Sequence, residues 1–290
     1  MDQLKDLVKA DLERLAGTPA EARAKQAIEA LALHQEWVNE YSRVRREALG
    51  ELIGEGKTPN ELAKMLGMTR SRVDQLLTSG PKPERALFGT AALTVAIGGK
   101  WETRAGGTGG PNVEPSAVLS EQSLAAFNLI AETVSDYGLK ASYQVVPPPG
   151  LVQLNRSNLI VITSPRLLPI VGQVLEADEH LGFAVNGRGW YLVDKTTDTR
   201  FRSPIDEGVP ADYGYIGRLP RPDGKGTFLY LAGIHAMGTL GAAHYLTSHV
   251  HELYQQVKTK RWSALVKCTF DPETREVEST ELATPVYTDK

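Results

Sequence analysis

One cysteine, Cys268, occurs in the 290 residues, so the chain can form no internal disulfide and cannot build a cysteine-based zinc cluster. A lone thiol fits a reducing compartment. Long apolar runs are missing as well. The longest, Leu229–Ile234, is far shorter than the ~20 residues a membrane-spanning helix needs. The stretch MDQLKDLVKADLERL at the N-terminus is amphipathic and charged, without the apolar centre of a secretory signal. A cytoplasmic location, away from membranes, is therefore expected. Nor is there a surplus of positive charge: 32 Lys and Arg stand against 35 Asp and Glu, a net charge of −3. Any affinity for nucleic acid must then come from a local patch. No repeat of solenoid period is present either.

What is present suits a packed protein of two domains: the length exceeds the usual single domain, and 41% hydrophobic with 23% charged residues is ordinary for a globular chain. From Asp2 to about Leu77 the pattern is helical. Leu4, Leu7, Val8, Leu12 and Leu15 share one face, and Gly17-Thr18-Pro19 stops that helix and starts the next. Ala20 to about Gly50 reads as a long helix with Ile28, Leu31, Leu33 and Trp37 on its apolar side, free to pack within the domain or against a second copy. Gly54 and Gly56 break the pattern. Pro59–Leu77 then reads as two short helices around Leu66-Gly67-Met68, and Ser79-Gly80-Pro81-Lys82-Pro83 as a connector. The expected division is a helical domain 1–80, a linker 81–89 and a second domain 90–290.

Within the first domain, Ala63, Gly67, Val73 and Leu76 fall at the spacing of a helix-turn-helix. Ala63 is small where the second helix crosses the first, and Gly67 supplies the positive φ of the tight turn. Leu62, Leu66, Val73 and Leu76 are expected to bury the shared face. Thr58 with Glu61 makes a capping box, and Thr69 caps the second helix. This register leaves Arg70, Ser71, Arg72 and Gln75 on the exposed, N-terminal side of the second helix, with Lys57 and Thr69 nearby. These are donors suited to base edges and phosphates. Between Lys57 and Arg85 six basic residues meet three acidic ones, so the window is positive although the chain is not. A plain helical hairpin used for packing or protein contact is the alternative.

The stretch TPNELAKMLGMTRSRVDQLL resembles the helix-turn-helix of sigma-factor region 4 and of related bacterial regulators of actinobacterial type. The resemblance covers only this segment. It implies binding of double-stranded DNA in the regulation of transcription.

Beyond about Phe88 apolar runs alternate with helical ones. Ala92–Ile97, Ala141–Val146, Asn158–Thr163, Tyr213–Leu219 and Thr227–Gly233 read as strands; Ser120–Tyr137, Pro165–Ala177 and Gly238–Val257 read as helices. Gly182–Asn186 with Gly189–Asp194, and Ala264–Phe270 with Val277–Leu282, read as hairpins. Continuous apolar strands followed by helices predict a parallel core sheet covered on both faces, with antiparallel additions: an α/β domain of Rossmann-like, mixed-sheet type. Ala105–Pro111 and Pro147–Gly150 are expected as surface loops.

Open α/β sheets bind ligands outside the carboxyl ends of their strands, which directs attention to three places. Gly98, Gly99 and Lys100 follow the first strand. Thr163, Ser164 and Arg166 follow another, with Ser164 expected to cap a helix begun by Pro165. Gly233, His235, Gly238 and Thr239 lead into the longest helix of the domain. Free N–H groups and the positive dipole end there would favour an anion, and Gly233, Gly238 and Gly241 would admit a phosphate; the same glycines would equally serve tight turns and close helix–sheet packing. Leu240 after Thr239 leaves no P-loop lysine, and G-x-G-x-x-G is missing after the first strand, so neither an ATPase nor an NAD site is expected, and no cofactor. The segments NLIVITSPRLLP and DYGYIGRLPRPDGKGTFLYLAGIHAMGT resemble uncharacterised bacterial domains found beside helix-turn-helix modules, which implies a sensor or effector role and no particular chemistry.

Other candidates remain open between chemistry and structure. His235 could be an acid/base or a structural loop residue; Arg166 and Arg218 could pair with an anion. Asp206 and Asp212 flank an expected loop and could serve as acids in a hydrolase or shape turns. His244, His249 and His251 share a helix, but no cysteine or acid completes a tetrahedral set, so no metal is expected. No G-x-S-x-G elbow and no Cys–His pair is present. Together these residues lead to the expectation of a homodimeric, DNA-binding regulator whose α/β domain senses a small, anionic or nucleotide-like ligand. A nucleotide hydrolase or glycosidase-like effector recruited by its helices, and an adaptor that binds protein, are the alternatives.

Overall fold

The computed structural model describes residues 2–102 and 116–289; the loop expected at Ala105–Pro111 lies outside the described residues. The chain divides into two units, Met1–Pro83 and Glu84–Lys290. The first is helical. Helix α1 (Asp2–Ala16) turns into α2 (Ala20–Gly54) where the Thr18 hydroxyl and N–H both donate to the Leu15 carbonyl. α2 passes through Gly50 because Leu49 and Leu52 on either side pack into the core of the unit. Helix α3 (Pro59–Leu66) begins with a complete capping box: the Thr58 N–H donates to Glu61 Oε2 at 2.8 Å and the Glu61 N–H to Thr58 Oγ1 at 3.3 Å. These bonds from Thr58 hold the Glu61 carboxyl below its ordinary value. Gly67 ends α3 in the left-handed conformation, φ 65°. Helix α4 (Arg70–Thr78) starts where Thr69 accepts the Arg72 N–H.

Leu49, Leu62, Ala63, Val73 and Leu76 form the core of this unit. Leu66, expected among them, is 43% exposed. α3 ends at that residue, and Met68 from the turn packs beside the core instead.

The second unit begins earlier than expected. Leu87 and Phe88, at the end of a 3₁₀ turn (Pro83–Leu87), are buried in its core, so residues 84–89 of the expected linker belong to the fold. Arg218 secures them: its Nη2 donates to the Ala86 carbonyl at 2.6 Å and to that of Leu87 at 2.8 Å.

The strands and helices that follow are β1 (Leu93–Gly98), β2 (Lys100–Trp101), β3 (Ala117–Val118), α5 (Glu121–Asp136), β4 (Ala141–Val146), β5 (Leu159–Ile162), α6 (Pro169–Leu175), β6 (Leu181–Asn186), β7 (Gly189–Asp194), β8 (Thr199–Phe201), β9 (Ala211–Pro220), β10 (Thr227–Gly233), α7 (Ala236–Ser248), α8 (Val250–Val257), β11 (Trp262–Phe270), β12 (Val277–Leu282) and β13 (Tyr287–Thr288). One mixed sheet runs β12-β11-β9-β10-β5-β1-β4, with β13 on β11. β4, β1, β5 and β10 are parallel; β9, β11 and β12 continue antiparallel. Register aligns Val95 with Ile160 and Leu229, and Ile97 with Ile162 and Leu231, on the face covered by α5, α7 and α8. The alternate residues Ala96, Val161, Tyr230 and Ala232 face α6 and the three-stranded β6–β7–β8 sheet. Both faces are covered, which is why these strands are apolar without interruption.

Two helices differ from expectation. α6 starts at Pro169, not Pro165, because a residue preceding proline is driven out of the helical region; Leu168 sits at φ −133°, ψ 83°. The helix expected over Gly238–Val257 breaks at His249, whose ring stacks on Tyr245 and hydrogen-bonds its carbonyl. No helix among the described residues is long and apolar enough to cross a membrane.

Candidate functional site

Leaving β1, the chain crosses by α5 to β4 on one side. Leaving β5, it turns to α6 on the opposite face and later reaches β10 on the other side. Connections that diverge in this way open a crevice at the carboxyl ends of the strands. A cavity of about 240 Å³ lies there, lined by Gly98 and Lys100 after β1, Thr163, Ser164 and Arg166 after β5, and Gly233, His235 and Thr239 after β10. The three loops singled out in the sequence therefore meet at one place. Gly98 is required by the approach of Thr163, whose Oγ1 would lie 2.0 Å from an added Cβ.

Two glycines sit behind the cavity. A Cβ on Gly99 would meet Val145 Cγ1 at 3.0 Å, and one on Gly238 would meet the Tyr213 carbonyl oxygen at 2.2 Å. Gly241 likewise gives way to Cys268, 2.4 Å from its missing Cβ. Gly238 and Gly241 thus let α7 lie directly on β9 and β11. Gly233 closes the β10–α7 turn, its N–H donating to Thr239 Oγ1 at 2.7 Å.

Asp212 is not on a loop. It sits on β9, fully buried, and its carboxylate accepts the N–H groups of Gly238 at 2.7 Å, Tyr213 at 2.9 Å and His235 at 3.0 Å. Burial raises its carboxyl above the ordinary value, while the hydrogen bonds from the Tyr213 and Gly238 N–H groups oppose the rise. This carboxyl already takes up N–H groups at the start of α7, which leaves fewer of them free for an outside anion. The attraction for a negative ligand falls to Lys100 and Arg166, whose side chains are exposed at the cavity. Ser164 Oγ is buried without a hydrogen-bond partner, so it caps no helix.

His235 Nε2 lies 2.8 Å from Asp206 Oδ1 at the edge of the cavity. Arg218 is elsewhere, buried under the start of the unit. The three histidines of the α7–α8 region point to different partners, His244 to Thr280, His249 to Tyr245 and His251 to Glu84. Among the described residues no three His, Cys, Asp or Glu gather as a metal site. Sequence reasoning overlooked the contribution of Leu119, Ser120 and Ser123 to the lining. The signal was available: Ser120 is the N-cap of α5, and the helix after the first strand begins at the crevice in this architecture.

In the first unit, Lys57, Thr69, Arg70, Ser71, Arg72 and Gln75 are all exposed, while Val73 and Leu76 turn into the core. Arg72 Nη1 donates to Gln75 Oε1 at 2.6 Å, and Arg70 Nε lies 3.7 Å from Asp74. Glu84 and Arg85 fall in the second unit and cancel, so the positive surplus over Lys57–Lys82 is kept. No protein family matches the chain, and neither a curated protein nor a solved structure matches it at a significant level.

Proposed function

We propose that the chain is a DNA-binding regulator of transcription: α3 and α4 act as a helix-turn-helix on double-stranded DNA, and the Rossmann-like second unit senses a small anionic or nucleotide-like ligand. The observation that carries the reading is the division of α4. Its apolar residues Val73 and Leu76 are buried, and every other side chain of its first two turns is an exposed polar group headed by Arg70, Ser71, Arg72 and Gln75. A helix presented in this way suits the major groove, where arginine pairs with guanine and glutamine with adenine.

Retention of genomic DNA fragments by the full chain at two salt concentrations tests it. Sequence-selective retention that weakens with salt is expected, since phosphate contacts release counterions. Arg70→Ala combined with Arg72→Ala should lower affinity at least about tenfold. Absent retention, or retention untouched by the double variant, favours the adaptor.

The cavity is at the small end of ligand sites, which usually begin near ~300 Å³. It suits a small phosphorylated or carboxylated metabolite, or one end of a nucleotide. Titrating orthophosphate and nucleoside monophosphates into the full chain should raise the unfolding temperature of the second unit, by about 2.7 kcal/mol of stability at a hundredfold excess over Kd. Lys100→Ala with Arg166→Ala should abolish the effect. No response to any of these anions removes the sensor half. The His235–Asp206 pair supports one other reading, a hydrolase, because a carboxylate partner orients an imidazole that acts as a general base. Turnover of a bound ester that disappears in His235→Ala would select it.

A further inference from the structure

α2 is amphipathic in the reverse sense for a helix that stands alone. Its 35 residues extend over roughly 50 Å. Leu31, Leu33, Trp37, Val38, Tyr41 and Val44 are each more than half exposed. Midway along the helix the side that the protein covers is polar, Arg43 being buried and bound to Glu40 at 2.9 Å and to Glu47 at 3.0 Å; the apolar Leu49 and Leu52 join the core only toward its end. Leu33, Trp37, Tyr41 and Val44 succeed one another at four, four and three residues, so they lie on one face of a straight helix, with Ala30 and Ala48 prolonging it.

Magnitude decides what this face is for. The four side chains of this face offer on the order of 500 Å² of apolar surface, while Ile28, Leu31 and Val38 point elsewhere. The largest apolar patch of an ordinary monomer is about 300–600 Å² and is often a contact surface. One partner of a standard interface contributes about 800 Å², of which about 450 Å² is apolar. The exposed Leu7 and Leu12 of α1 add to the apolar surface of the same unit. Charge complementarity favours like pairing with like: Glu29 borders one flank of the stripe and Arg45 the other, both exposed. Two such helices running in the same direction set the unlike flanks against each other, as flanking charges do in parallel coiled coils.

We infer that α2 pairs with the α2 of a second copy of this chain through the Leu33–Trp37–Tyr41–Val44 stripe. The inference holds whatever α4 contacts, so it can fail while the DNA reading stands, and the reverse. Sedimentation velocity of the full chain across a wide concentration range tests it. The wild type should pass from 31.6 kDa toward twice that mass as concentration rises. Trp37→Glu with Val44→Glu should weaken association at least about a hundredfold. Both positions are exposed in the single chain, so far-ultraviolet circular dichroism at low concentration should not change. Should that double variant lose helicity, Tyr41→Lys alone supplies the same comparison. A wild type that stays at the single-chain mass, or a folded variant that associates as tightly as the wild type, overturns the proposal.

Discussion

Asp212→Ala is expected to destabilise the second unit by about 3 kcal/mol, read as a lowered urea midpoint, because three N–H groups lose a buried acceptor at once. Removing the charge also removes the cost of burying it, so the loss stays below the sum of three orphaned donors. Asp212→Asn should fall between, since an amide keeps one oxygen and sets an NH₂ where the other stood. pH separates the two forms. Burial lifts the Asp212 carboxyl above its ordinary 3.8, so its contribution to stability is complete below that value and is lost as pH rises through the raised one. Asparagine lacks this dependence. The stability advantage of the wild type over Asp212→Asn should therefore widen as pH falls from neutrality. A difference that does not vary with pH would mean the carboxyl ionises as easily inside as out.

The second large effect lies on the facing helix. Gly238→Ala places a methyl 2.2 Å from the Tyr213 carbonyl oxygen, and Gly214 across the contact is equally tight, 2.1 Å from the Gly238 oxygen. Both clashes are with backbone. β9 is held between β10 and β11, so neither side has room to yield. Overpacking of a core commonly costs about 1–3 kcal/mol where side chains can move; here the loss should reach or exceed the top of that range. Gly187→Ala, with no atom within 4 Å of the new methyl, serves as the comparison and should change stability by less than about 0.5 kcal/mol. Comparable midpoints for the two variants would show that α7 can lift from the sheet at little cost.

Local signals were legible in the sequence because they act over a few residues. The Thr58–Glu61 box, the Thr69 cap and the Gly67 turn are short-range hydrogen bonding and backbone sterics, and all occur where the residue types demand. The loops at Gly98, Thr163 and Gly233 were legible because uninterrupted apolar strands end there. Asp212 was not. Its role depends on β9 lying antiparallel beside β10, which brings a carboxylate to an N–H twenty-six residues later in the chain. Arg218 was hidden for the same reason: the Ala86 and Leu87 carbonyls that it holds lie more than a hundred residues earlier. Leu66 and α6 mark a different limit, where periodicity extends a helix or a core past the residue at which turn geometry stops it.

Cys268 carries a consequence of the contact that Gly241 makes possible. Its thiol is buried between β11 and α7, donates to the Met237 carbonyl, and is pushed up to about 12 by burial and the nearby Asp212 charge. At neutral pH such a thiol stays protonated and unreactive while the helix stays seated. The sole sulfhydryl of the chain is thus a reporter: its alkylation is expected only when the contact between the sheet and α7, the helix whose first turn borders the cavity, opens.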